Sequence, residues 1–71
     1  MTLSNVESGR KVTIIGLNTS RAVEERLAAL GLFPGAAVEV VRSSRGGEKI
    51  LGCLDSRFAI GRDLTKAIEV N

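Results

Sequence analysis

The residue types that most often perform chemistry in proteins are sparse in this chain. Its 71 residues include no histidine and a single cysteine, Cys53. Histidine is the commonest general base and metal ligand, so both roles lack their usual side chain. Cys53 stands in the apolar run 50–54, which favours a buried structural thiol over a nucleophile. Because no serine has a base partner at a recognisable spacing either, the sequence predicts a protein that is not an enzyme.

Carboxylates are the remaining side chains that could hold a metal ion. They follow no spaced ligand motif, so solvated surface charges are the favoured interpretation. The sequence predicts no cofactor, and the ligands of any bound metal are unknown. The acidic candidates considered for a hard cation are Glu39, Glu48, Asp55, Asp63 and Glu69.

Cationic side chains around one predicted hairpin could bind nucleic acid. Ten basic and eight acidic residues leave a net charge of +2, which is too small to indicate a polyanionic partner. Small barrels that bind single strands usually stack bases on aromatic side chains, and two phenylalanines are the only aromatics here. We therefore expect no nucleic-acid partner and favour a solvated sheet edge. A small nucleic-acid-binding β-barrel that uses Arg42, Arg45, Lys49 and Arg57 stays the alternative.

The elements that must position these side chains are those of a small, mainly β domain. A helix is predicted over about residues 20–30 with Ser20 as its N-cap, and a short helical turn near 62–67. Short strands with frequent turn signals predict a small SH3-like β-barrel of about five strands with that helix inserted. Residues 1–71 form one domain. The predicted strands span 10–17, 37–42, 48–54, 58–61 and 68–70.

The end of the predicted helix is the most informative stretch. Gly31 is placed to stop the helix, which brings Leu32 back against Leu27. Residues 33–36 read Phe-Pro-Gly-Ala, the pattern of a type II turn. A helix stop and a turn therefore lead directly into the second strand.

Apolar side chains concentrate at this helix stop, and a small barrel cannot easily bury all of them. An exposed apolar corner on a small domain often marks a protein contact. An equally open interpretation is that Leu32 closes the helix end and Phe33 shields the rim of the core. The candidate partner-binding residues are Leu27, Leu30, Leu32, Phe33 and Pro34.

Targeting signals are lacking in the printed sequence. No apolar run approaches the roughly 20 residues that a membrane-spanning helix needs. Residues 1–10 lack the basic start and hydrophobic block of a signal peptide. A lone cysteine fits a reducing compartment. We expect a cytoplasmic protein without membrane insertion.

The pattern of the whole chain resembles the FeoA family of small proteins. The resemblance is strongest in residues 26–35, where an arginine-leucine pair, the leucine-glycine-leucine stop and the proline-glycine turn follow one another. It also resembles the C-terminal module of DtxR-type metalloregulators, which carry a DNA-binding domain upstream. Because no such domain precedes residue 1, we expect the free-standing form. Further matching positions are Leu3, Val6, Gly9, Val12, Ile14, Val38, Val40, 58–62 and 67–70.

The resemblance implies a non-enzymatic accessory protein of bacterial ferrous iron uptake. It implies an SH3-like barrel and a partner, the membrane transporter FeoB, whose cytoplasmic G-domain hydrolyses GTP. Contact with FeoB would hold the protein at the inner face of the plasma membrane. The family is described as transition-metal-associated, so the resemblance leaves open a weakly bound divalent transition metal, although this sequence offers no obvious ligand set. Exposed apolar residues near Phe33 leave room for a homodimer.

Overall fold

The computed structural model describes residues 1–71 as a five-stranded antiparallel sheet with two helices. A 3₁₀ turn at Leu3–Asn5 precedes the first strand, and the strand order across the sheet is β4-β3-β2-β1-β5. The mainly β fold, the five strands and the two helical segments predicted above are confirmed. The elements are β1 (Lys11–Leu17), α1 (Arg21–Ala29), β2 (Ala37–Ser43), β3 (Lys49–Cys53), β4 (Ser56–Ile60), α2 (Arg62–Ala67) and β5 (Ile68–Val70).

The sheet does not close into the predicted barrel, because β4 and β5 are its two edges and do not pair with each other. After β4 the chain passes through α2, which packs against the 3₁₀ turn, and reaches β5 at the other edge of the sheet. The edge of β5 is covered by the start of the chain. The Val70 N–H donates to the Met1 carbonyl at 2.8 Å, and Thr2 forms a bridge with Glu69.

The core is aliphatic and receives side chains from every part of the sheet. The alternation along β3 buries Leu51 and Cys53 on the inner face and leaves Gly52 on the outer face. The buried thiol predicted at Cys53 is confirmed. The other buried hydrophobic residues are Leu3, Val6, Val12, Ile14, Leu27, Leu32, Ala36, Val38, Val40, Ile60, Ile68 and Val70.

Helix α1 begins and ends as its sequence predicts. The Ser20 hydroxyl accepts the Val23 N–H at 3.3 Å, which is the N-cap bond. At the other end Gly31 has φ +90°, and the Leu32 N–H donates to the Leu27 carbonyl at 2.9 Å. These are the features of a Schellman stop. Neither helix has the length and apolar character needed to span a membrane.

Two bulges interrupt the strand pairing, and neither lies at Gly52, the glycine inside β3. The extra residues are Ile15 in β1 and Val41 in β2. Gly52 pairs regularly with Glu39 and Arg57. A Cβ atom at position 52 would lie 3.3 Å from Val41 Cγ2, so the glycine makes space for the bulged neighbour.

Candidate protein-docking site

One end of the sheet gathers the exposed apolar side chains. The register pairs Thr13 with Ala37, and Glu39 with Gly52. The residues that follow Thr13, precede Ala37 and follow Gly52 therefore lie at the same end of the sheet. The helix stop and the turn at 33–36 enter β2 from this end. We call its exposed apolar residues, Ile15, Leu30, Phe33, Pro34 and Leu54, the apolar end.

The structure divides the five residues predicted to contact a partner. Leu30 and Phe33 are 44% and 46% exposed, and Pro34 is exposed as well. Leu27 and Leu32 are 4% and 0% exposed, so neither can offer surface to a partner. Their placement in the contact set is corrected: the Schellman stop turns Leu32 inward with Leu27.

Leu54 is the most exposed large apolar residue, at 99%, and sequence reasoning missed it. The sequence placed it in β3 and placed the turn at 55–57. That turn is wrong, because Cys53 pairs directly with Ser56 and the loop consists of Leu54 and Asp55 alone. The alternation along β3, with Leu51 and Cys53 inward, was the signal that Leu54 would face away from the core.

Ile15 is the second residue that the sequence did not single out, and it is 56% exposed. It follows the fully buried Ile14 at the end of a run of β-branched residues, so the pattern alone favoured an ordinary strand. The register shift between Ile14 and Gly16 makes Ile15 the bulged residue. A bulge changes the direction of one side chain, here away from the core.

Backbone contacts hold the segments of the apolar end in place. The Gly35 N–H donates to the Ile14 carbonyl at 2.7 Å, and the Ala36 N–H donates to the Phe33 carbonyl at 3.0 Å. Gly35 has φ +98°, as the third position of a type II turn requires. Cys53 Sγ lies 3.7 Å from the Gly31 carbonyl oxygen, which ties the β3–β4 hairpin to the helix stop. The apolar side chains therefore project from a fixed frame.

One of the four cationic residues considered for nucleic-acid binding, Lys49, lies in the core. Lys49 is only 7% exposed, and its Nζ donates to the Val6 carbonyl and to Ser43 Oγ, both at 3.0 Å. The sequence placed Lys49 on the solvated hairpin, which is wrong. Residues 49, 51 and 53 all face inward, and the long side chain reaches two oxygens across the inner face.

The outer face of the sheet carries an open groove with charges of both signs. Lys11, Glu39, Gly52 and Arg57 stand in one row across four strands. They line a groove of about 520 Å³ together with Asp55. Because acidic side chains stand beside the cations, this surface does not match a polyanion.

The candidate metal-ligating side chains are dispersed over the structure. No three acidic or cysteine side chains lie together as a ligand group. The single cysteine is buried in β3 beside the helix stop, and there is no histidine. These residues do not fit a transition-metal centre, which takes nitrogen, sulfur and carboxylate ligands in a group of three or four.

Comparison with known proteins gives a consistent family. The FeoA domain model matches residues 1–71. A Campylobacter jejuni protein, named as a candidate Fe(2+) transport protein A, is 33% identical over 72 residues, covering 100% of this chain and 97% of its own. The solution structure of FeoA from Chlorobium tepidum superposes with a TM-score of 0.90 at 28% identity, covering 100% of this chain and 69% of that one.

Two further structures show the same fold at lower identity. The zinc complex of Stenotrophomonas maltophilia FeoA, described as an SH3 domain protein, has a TM-score of 0.83 at 24% identity and covers 100% of this chain and 89% of that one. The metal-dependent transcriptional regulator MtsR has a TM-score of 0.86 at 11% identity, with 99% of this chain and 35% of the regulator covered. The resemblance to a metalloregulator module is confirmed at the level of fold. With a family model that matches every residue, the chain belongs to the FeoA family, whose named relatives are ferrous iron transport proteins.

Proposed function

We propose that this protein is a non-enzymatic cytoplasmic accessory protein of ferrous iron uptake that docks its apolar end on the cytoplasmic G-domain of the FeoB transporter. Membership of the FeoA family supports the transport role. The Stenotrophomonas maltophilia FeoA has been suggested as a ferrous iron transport activating factor. Docking places this protein at the inner face of the plasma membrane and requires no bound metal.

Leu54 is the observation that carries the docking proposal. Its φ of 55° lies in the left-handed region, where a bulky residue costs roughly 1–2 kcal/mol. The side chain is 99% exposed, so it returns no burial energy to the fold. Asparagine or glycine would suit this hairpin turn better. A leucine that the fold does not need, at the same end of the sheet as Leu30 and Phe33, is best explained by a partner that covers it.

The test compares the binding of folded variants to full-length FeoB of the same organism, immobilised in detergent. Leu54→Asn should weaken binding while the free energy of unfolding stays equal or rises, because the strain is relieved. Phe33→Ser should weaken binding about 30-fold, as expected for loss of an apolar anchor worth about 2 kcal/mol. Arg45→Gln, in the hairpin at the opposite end of the sheet, is the matched control and should bind like the natural protein. Normal FeoB binding by folded Leu54→Asn and Phe33→Ser would remove the apolar end as the docking site.

A further inference from the structure

Strand β4 is an edge strand with little of the usual protection. The edge of β5 is covered by Met1 and Thr2, but no backbone hydrogen bond links β4 to anything other than β3. All five of its residues pair regularly with β3, so no bulge twists the edge away. It contains no proline and one charged residue, Arg57. Natural proteins usually block such an edge, because it can pair with another strand.

The outward backbone groups of β4 belong to two residues. In an antiparallel pair, every second residue exchanges hydrogen bonds with its neighbour, and the residues between them point their N–H and C=O away. Cys53 and Ser56 close the two-residue hairpin, so Ser56 bonds inward and the alternation continues along the strand. Arg57 and Ala59 therefore present their N–H and C=O groups at the open edge, and both residues are exposed.

A second copy of the same strand fits this edge in one antiparallel register. When the two-fold axis passes beside Phe58, Arg57 of each copy lies opposite Ala59 of the other copy. The outward N–H and C=O groups of the two copies then form four hydrogen bonds in total. A register centred on Arg57 would set two arginines directly opposite each other, which is unfavourable. Centring on Ala59 would leave Arg57 opposite Gly61, beyond the end of the strand.

We propose that β4 pairs with β4 of a second copy through this register and forms a two-fold symmetric dimer with a continuous ten-stranded sheet. At the centre, the half-buried Phe58 of each copy lies in a non-hydrogen-bonded pair, the closer kind of cross-strand contact. Two strands of five residues make a small interface, so the dimer is weak and forms at high protein concentration.

Charge substitutions at position 59 test the register. Ala59 is exposed on the outer face, so its replacement leaves the monomer fold intact. Ala59→Glu sets a glutamate opposite each Arg57 and should lower the dimer Kd about fivefold, whereas Ala59→Arg sets like charges opposite each other and should raise it about fivefold. The double variant Arg57→Glu/Ala59→Arg restores opposite charges and should recover the dimer. Sedimentation equilibrium over a range of concentrations measures all four proteins.

Amide hydrogen exchange supplies a second readout on the natural protein. The Arg57 and Ala59 amides should become protected as protein concentration rises, while the amide of Gly46, in the exposed β2–β3 hairpin, should keep exchanging fast.

Three results would overturn the proposal. The natural protein and Ala59→Glu could both stay monomeric up to about 1 mM, the range in which so small an interface should form; this would leave the edge to a strand of another protein. Ala59→Glu and Ala59→Arg could shift the Kd in the same direction. A dimer could form that Phe33→Ser abolishes, which would place the contact at the apolar end.

Discussion

Two leucines that are two positions apart have opposite surroundings at the helix stop. Leu32 is fully buried, while Leu30, the C-cap residue of α1, is 44% exposed. The left-handed Gly31 between them reverses the chain, so the side chain that follows it points into the core. Leu30 therefore belongs to the surface and Leu32 to the core, and substitutions at the two positions can test the two roles separately.

Leu32→Ala should destabilise the protein by about 2–4 kcal/mol, because it removes a fully buried side chain and leaves a cavity. Leu30→Ala is the matched control and should cost less than about 1 kcal/mol, since much of that side chain is already in water. Urea unfolding followed by circular dichroism measures both. Equal losses of unfolding free energy would contradict the division of this segment into core and surface.

Strand β3 has a lysine at one of its inward-facing positions, where a hydrophobic residue is usual. Lys49 lies on the buried face between the 3₁₀ turn region and β2, and its ammonium group donates to Val6 and Ser43. No carboxylate pairs with it, since the only ion pairs join the N-terminus to Glu69 and Arg21 to Glu25. The buried lysine therefore serves as the donor to the buried Val6 carbonyl and to the part-buried Ser43 hydroxyl.

Lys49→Met should lower the free energy of unfolding by about 1–2 kcal/mol, because the Val6 carbonyl loses its donor while the side-chain volume is largely kept. Lys66→Met, on the exposed surface of α2, is the control and should change stability by less than about 0.5 kcal/mol. Thermal and urea unfolding compare the two. A Lys49→Met protein as stable as Lys66→Met would show that the Lys49 hydrogen bonds contribute nothing net.

Local signals in the sequence predict most of these elements, and non-local pairing decides the rest. Ser20 and Gly31 act through bonds to residues within five positions, and Gly35 acts through its positive φ in a turn that the Ala36–Phe33 bond closes, so their roles are readable from spacing. Leu54 and Lys49 depend on where the hairpin turns and on what lies across the sheet. A shift of one residue in the turn changes which side chains face inward, which is why the predicted contact set missed Leu54.

In the whole molecule, the two surfaces proposed to bind partners lie at different places on the sheet. The apolar end lies where α1, the 33–36 turn and the β3–β4 hairpin meet. The β2–β3 hairpin lies at the opposite end, and the open edge of β4 runs between the two. A single small sheet can therefore offer one surface to a transporter and another to a second copy.

The most direct test of the docking claim follows the backbone amide signals of the isotopically labelled protein while unlabelled full-length FeoB in detergent is added. We expect signal loss that begins at Ile15, residues 30–35 and Leu54, because these residues lie at or beside the apolar end. The hairpin residues 44–47 should be affected last. Signal loss that begins at 44–47, or along β4, with the apolar end unchanged would contradict the account.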